Sequence, residues 1–205
     1  DHILELEKVP KSLIVMGSGA VGTEFASVYS RFGSETTLVE LLPRIMPLED
    51  EEISKELEKS FRKRGIKSQL DTKLEKLEKT DAGIRLTGKT SKGQDVTLEA
   101  EMLLVAVGRM PYTQGLGLEG TKIKVERGNV QVDEFCRTGE PNVYAIGDVI
   151  PTPWLAHLAS KEGILAVEQI AGHKAQPINL RHVPSCTYCD PEVASVGLTE
   201  AKAKE

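Results

Sequence analysis

The sequence is poor in the residues that mark several common functions. Its 205 residues include 3 cysteines, 1 tryptophan and only 4% aromatic side chains, and the net charge is −5. Three cysteines are an odd set, too few for the disulfide framework of a secreted domain. There is no basic cluster interleaved with aromatics, so nucleic acid is a poor partner. No apolar stretch approaches the ~20 residues that span a bilayer, and the N-terminus lacks the basic-then-apolar layout of a signal peptide. The expectations are therefore no membrane partner and a cytoplasmic setting. Hydrophobic residues still make up 40% of the chain. That is enough for a packed core in one large domain or one and a half ordinary ones.

Glycine, in contrast, is placed to purpose. The apolar run Leu13-Ile14-Val15-Met16 leads into Gly17-Ser18-Gly19-Ala20-Val21-Gly22, and a helical pattern follows. This order reads as a buried parallel strand, a tight turn and a helix N-terminus. Gly17 permits the turn, Gly19 leaves room for a pyrophosphate, and Gly22 lets the helix pack closely on the strand. The unpaired N–H groups at the start of that helix suit an anion. Apolar Val21, Phe25, Val28, Tyr29 and Phe32 recur at helical steps, which predicts one core-facing stripe ended by Gly33. A second β-rich run, Thr36 to Val39, closes with Glu40, where such units carry the acid that takes the ribose hydroxyls. An acid there favours NAD over NADP, because it repels a 2′-phosphate. Arg44 could argue otherwise, but Pro43 turns the chain away.

Further along, Asp50 to Arg64 predicts a helix with Ile53, Leu57 and Phe61 on one face, acids at its start and bases at its end. Gly65 stops it, and Ile66 to Leu70 resembles a third parallel strand. Leu74 to Lys79, Gly83 to Thr87 and Val96 to Glu101 alternate as an antiparallel meander with one wet face. Met102 to Val107 is a continuous apolar run suited to the buried parallel sheet. Gly108 to Pro111 reads as a boundary. Beyond it, Val130 to Val132 and Asn142 to Ile146 are expected strands, the second running into Gly147-Asp148. An acid at a strand's carboxyl end makes Asp148 a second candidate, although by spacing alone a turn or N-cap aspartate is the simpler explanation. Trp154 to Ala171 predicts a helix with Pro153 near its start and Gly172 past its end. Cys186-Thr187-Tyr188-Cys189 matches C-x-x-C. Thr187 and Tyr188 favour a strand rather than the helix N-terminus a redox pair wants, and a second ligand pair for a metal is missing. The cysteines therefore read as structural, and no metal site is expected.

Taken in order, GSGAVGTE from Gly17 to Glu24, Val39-Glu40, Ala106 to Pro111, Tyr144 to Asp148, Leu155-Ala156-His157 and Cys186 to Glu200 resemble the dihydrolipoamide dehydrogenases, a family of FAD-linked pyridine nucleotide-disulfide oxidoreductases. The likeness runs through essentially the whole chain. It implies an α/β fold: a Rossmann-like parallel sheet with an antiparallel meander, then part of a second, FAD-contacting α/β segment. The implied layout is a lead-in over 1–9, an NAD-binding domain over 10–110, a central segment over 111–180 and the start of a dimerisation domain over 181–205. The Gly17–Gly22 loop, with Ser18, Ala20 and Val21 in it, would hold the NAD pyrophosphate. Glu24 would lie near the nicotinamide, Glu40 on the ribose, Leu74 beside the adenine and Gly108 against the cofactor. Asp148 would bond the FAD ribityl chain, and Trp154, Leu155, Ala156 and His157 would face the flavin.

The family's activity is oxidation of dihydrolipoamide through a redox disulfide and FAD to NAD. Its partners are the lipoyl domains of 2-oxo acid dehydrogenase complexes and a second copy of itself. The departures are equally specific. No two cysteines here have the family's C-x4-C spacing, and only one GxGxxG, Gly17 to Gly22, follows an apolar strand-like run. The family's catalytic His and Glu would lie beyond Glu205. The chain therefore reads as an internal fragment with no catalytic residues, inactive by itself. The alternatives are a related NAD-linked reductase of mercuric ion or coenzyme A disulfide, and a non-catalytic NAD(H)-binding module.

Overall fold

The computed structural model describes residues 2–205; the first residue of the expected lead-in, Asp1, lies outside them. Residues 2–108 and Cys186–Glu205 form one compact unit, and Arg109–Ser185 form a second.

The first unit grows from its apolar strands. β1 (Ser12–Met16) leads to helix α1 (Ala20–Arg31), then β2 (Glu35–Val39), α2 (Glu51–Lys63) and β3 (Lys67–Gln69). Three antiparallel strands follow, β4 (Thr72–Thr80), β5 (Gly83–Thr90) and β6 (Asp95–Ala100), and β7 (Met102–Val105) returns to the first sheet. The parallel order is β3-β2-β1-β7. Alternation along β1 divides the core between its two faces. Leu13 and Val15 point into a cluster with Ala26, Leu38, Leu57 and Phe61. Ile14 points the other way, to Leu86 and Ala100 of the meander. The helices thus cover one face of the sheet and the meander the other. Asp50 caps α2 by accepting from the Glu52 N–H, and Gly65 leaves the helix at φ +84°.

Two elements of this unit differ from the sequence reading. On α1 the predicted stripe is largely outside: Val21, Val28 and Phe32 are exposed, Phe32 by 62%, and of the five only Tyr29 is buried. The buried face is Gly22, Thr23, Ala26, Ser27 and Tyr29. A helix lying this close on its strand selects by size, and small residues win the contact over large apolar ones. On α2, Leu57 and Phe61 are buried as predicted, but Ile53 is exposed and Ser54 takes the inner place, its hydroxyl donating to the Met46 carbonyl at 3.1 Å. β7 is parallel as expected yet only half-buried, because it forms the sheet's edge; Val105 and Val107 are exposed.

The second unit holds less regular structure. β8 (Val125–Glu126) and β9 (Asn129–Val130) form a short hairpin whose turn residues, Arg127 and Gly128, have φ +51° and +84°, as tight hairpins demand. This is shorter than the strand expected over 130–132. The strand expected over 142–146 does not form, since Asn142 sits at φ +62° and leaves a single Tyr144–Arg137 bridge. The long helix α3 (Ala156–Ile170) starts two residues later than predicted, with Leu155 extended as its N-cap, and Gly172 follows its end. At the chain's end β10 (Ser185–Thr187) and β11 (Val193–Ser195) pair, and α4 (Glu200–Ala203) closes the chain. Cys189 and Val193 join the core of the first unit.

Candidate functional site

The glycine-rich turn connects β1 to α1, and each glycine meets a different environment. Gly17 has φ +99°, and a Cβ there would stand 2.5 Å from the Ala106 carbonyl oxygen. Only glycine combines that dihedral with that contact. A Cβ on Gly22 would lie 1.9 Å from the Gly17 oxygen and 3.3 Å from Val15 Cγ1, so the helix can approach the strand only because it is absent. Gly19, the N-cap of α1, differs: a Cβ there would meet nothing within 4 Å. The space belongs to an open cleft. No side chain caps the helix, so its first N–H groups and positive dipole end are available to an anion.

Glu40 stands across that cleft at the carboxyl end of β2 and is 9% exposed. Its Oε2 accepts from the Ser18 N–H at 2.9 Å and the Ser18 hydroxyl at 2.7 Å, and its Oε1 accepts from the Leu42 N–H at 3.0 Å. A carboxylate oxygen has two lone pairs. Oε2 is therefore filled, while Oε1 keeps capacity for one more donor such as a hydroxyl. Arg44, which could have drawn a phosphate here, donates from Nη2 to the Pro47 carbonyl at 2.9 Å and is not among the residues lining the cleft.

The cleft has a volume of about 510 Å³ and is lined by residues 17–21 of the loop, Glu40, Leu74 and Gly108, with Pro47, Thr72 and Lys73 at its sides. The structure thus gathers all but two of the first unit's candidates around one space. Gly22 is behind the loop, packed on the strand. Glu24, one turn into α1, is outside the cleft lining, and its carboxylate accepts from the Tyr188 N–H at 2.8 Å.

In the second unit, Gly147 (φ +73°) opens a 3-10 turn over Gly147–Val149 that carries Asp148. Asp148 is half-exposed and paired with Arg109, Nη1 to Oδ2 at 3.2 Å. The same guanidinium sits 6.0 Å from the centre of the Trp154 ring, and the indole N–H donates to the Ile150 carbonyl at 3.2 Å. Leu155, Ala156 and His157 begin α3, whose N-terminus also lacks a side-chain cap. The His157 Nε2 lies 2.9 Å from the Pro184 carbonyl oxygen, which assigns the proton to that nitrogen.

One buried residue escaped the sequence reading. Glu162 on α3 is 2% exposed and accepts from the Gly147 N–H and the Thr152 hydroxyl, each at 2.7 Å. Its only sequence signal is an acid on the apolar stripe of Leu158, Leu165 and Ala166.

All three cysteines are free thiols, with Cys136 and Cys189 buried. Burial pushes the Cys136 thiol up to about 11 and the Cys189 thiol up from its ordinary value. Both are therefore neutral, the condition of structural rather than reactive cysteines. Among the described residues, no group of three His, Cys, Asp or Glu side chains could hold a metal ion, and no helix is long and apolar enough to cross a membrane.

Known proteins share this architecture. The family model described as pyridine nucleotide-disulphide oxidoreductase matches residues 1–163, and that family's dimerisation domain matches residues 183–205. The chain is 47% identical to a dihydrolipoyl dehydrogenase of Rhizobium etli over 98% of its own length and 42% of the relative's. It is 45% identical to a dihydrolipoyl dehydrogenase of Bacillus subtilis over 100% of its length and 43% of the relative's. Among solved structures, LpdA from Mycobacterium tuberculosis superposes with a TM-score of 0.86 at 33% identity, covering 96% of this chain and 42% of that one. The HOCl-induced flavoprotein disulfide reductase RclA from Escherichia coli superposes with a TM-score of 0.88 at 27% identity, covering 98% of this chain and 46% of that one. The chain spans less than half the length of these relatives. It belongs to the pyridine nucleotide-disulphide oxidoreductase family, and its curated relatives at 43–47% identity are dihydrolipoyl dehydrogenases.

Proposed function

We propose that the first unit binds NAD(H) in the cleft between the glycine loop and Glu40, as the nicotinamide-nucleotide part of a dihydrolipoyl dehydrogenase. The observation that carries this reading is the open space at Gly19, bounded by an uncapped helix N-terminus on one side and a fixed carboxylate on the other. The loop N–H groups would hold the pyrophosphate, and the free lone pair of Glu40 Oε1 would take an adenosine ribose hydroxyl. Leu74 would pack beside the adenine, and Gly108 would bring its backbone against the nucleotide. Glu24 would lie toward the nicotinamide end. Since Oε2 is pinned by Ser18, Glu40 cannot swing aside, and a 2′-phosphate would meet its charge at close range.

The second unit would contribute to an FAD site. Asp148 would take the ribityl hydroxyls with its second carboxylate oxygen, which has no protein donor among the described residues. The segment Trp154–Leu155–Ala156–His157, opening an uncapped helix, would face the ring, where a positive dipole end stabilises negative charge. When bound, the two cofactors supply the electron transfer; the chain's residues bind, orient and exclude water.

The whole protein would oxidise dihydrolipoamide through a redox disulfide and FAD, reducing NAD+ to NADH. It would act as a cytoplasmic homodimer serving the lipoyl domains of 2-oxo acid dehydrogenase complexes. This chain alone, without a C-x4-C pair, would bind nucleotide and turn nothing over. The test is separate titration with NADH and NADPH. NADH should bind more tightly, and Glu40→Ala should bring the two dissociation constants to within about threefold by removing the repelling charge. Tighter NADPH binding by the unaltered protein contradicts the assignment.

A further inference from the structure

We propose that Glu162 is a positioning residue that sets the Gly147–Asp148 turn and, through it, the flavin; this rests on the reading that the segment takes FAD. A carboxylate at 2% exposure is costly unless its oxygens are bonded. Here each oxygen has one donor, and the two donors come from opposite ends of one short loop. Gly147 N–H binds Oε2, and the Thr152 hydroxyl binds Oε1. A hydrophobic residue of similar size would fill the same space more cheaply, but it could not tie residues 147 and 152 together.

The neighbouring positions on α3 fit the same task. A Cβ on Gly147 would lie 3.4 Å from the Ala159 Cβ, and a Cβ on Gly163 3.3 Å from Ile146 Cδ1. Ala159, Glu162 and Gly163 share one helix face, and that face seats the turn. Asp148 has no comparable anchor. It is half-exposed, its partner Arg109 is more exposed still, and such pairs are weak in water. The direction of its carboxylate is therefore inherited from the turn's backbone, which Glu162 holds.

The test uses the flavin-loaded holoprotein and its apo form reconstituted with FAD. It reads the FAD dissociation constant and the visible spectrum of bound flavin, with NADH affinity and the melting temperature as controls. Glu162→Gln keeps the size and one acceptor, and should weaken FAD binding about tenfold with altered visible bands and unchanged NADH affinity, the scale of losing a buried charged hydrogen bond. Thr152→Val, which leaves the carboxylate in place, should weaken FAD about threefold, and decides the matter if Glu162→Gln does not fold. Wild-type FAD affinity and spectrum in both variants, with Asp148→Ala weakening FAD, would show that Glu162 only packs, and the proposal falls. If Asp148→Ala also leaves FAD binding unchanged, the flavin reading itself fails and takes this inference with it.

Discussion

The two units hold their glycine turns by different means. In the first, the turn is held by backbone against backbone: Gly17 beneath the Ala106 carbonyl, Gly22 on the Gly17 oxygen, and the Gly17 N–H on the Val39 carbonyl at 2.8 Å. In the second, the turn at Gly147 closes on one backbone bond, from the Ile150 N–H to the Gly147 carbonyl at 3.0 Å, and the Glu162 carboxylate ties it to α3; its glycine contacts are looser. A parallel sheet places several chain segments side by side, so a loop at its carboxyl end gains ladder bonds and close packing, to which the Glu40 carboxylate adds its bonds to Ser18. The regular structure of the second unit is a two-stranded hairpin, one long helix and short 3-10 turns, and there a buried carboxylate ties the glycine turn to the helix.

Substituting one glycine in each unit tests that contrast at its strongest. Gly22→Ala forces a methyl against a carbonyl at 1.9 Å and should cost on the order of 3 kcal/mol in urea unfolding, with loss of NADH binding. Gly163→Ala meets only the movable end of Ile146 at 3.3 Å, and gains helix propensity, so its stability should stay within about 1 kcal/mol of the original. Equal losses would erase the distinction.

The α1 face is the next lever. Ala26 is fully buried and Phe32 is 62% exposed. Ala26→Leu should lose about 2 kcal/mol by overpacking, whereas Phe32→Ser should change stability by no more than about 0.5 kcal/mol. The reverse order would restore the hydrophobic-stripe reading of this helix.

A smaller effect is expected in the second unit at high pH. Cys136 is buried as a neutral thiol, its value raised from 9.0 to about 11. Folding therefore favours the protonated form. Its contribution is fully present below pH 9.0 and is lost as pH rises through about 11. Cys136→Ala should flatten this part of the stability profile, measured by urea unfolding across that range. An unchanged slope would show that another group carries it.

The first unit was largely legible because its signals are spacing and turn chemistry. The Gly17-x-Gly19-x-x-Gly22 spacing, Glu40 at the end of β2 and the turns of the meander depend on local backbone needs that each residue states by itself. The α1 face was misread because periodicity weighs hydrophobicity, while contact with β1 selects for size: Gly22, Ala26 and Ser27 went inside and Phe32 went out. The 142–146 run has strand-like composition, but Asn142 adopts a left-handed conformation that no pattern of apolar residues announces. Glu162 was invisible for a related reason. An acid on an apolar stripe looks like an interruption until its donors, 15 and 10 residues away, are brought beside it by the fold.

In the proposed NAD(H) site, the space at Gly19 is held open for the nucleotide. Gly19 has ordinary extended dihedrals, φ −67° and ψ −174°, and a Cβ there would touch no protein atom within 4 Å. Gly19→Ala therefore separates folding from binding. The most direct measurement is the NADH dissociation constant of this variant beside its urea-unfolding free energy. Stability should stay within about 1 kcal/mol of the original protein, and NADH affinity should fall at least about tenfold, as the methyl occupies the approach of the pyrophosphate. Unchanged NADH affinity in a normally folded Gly19→Ala protein would contradict the proposed site.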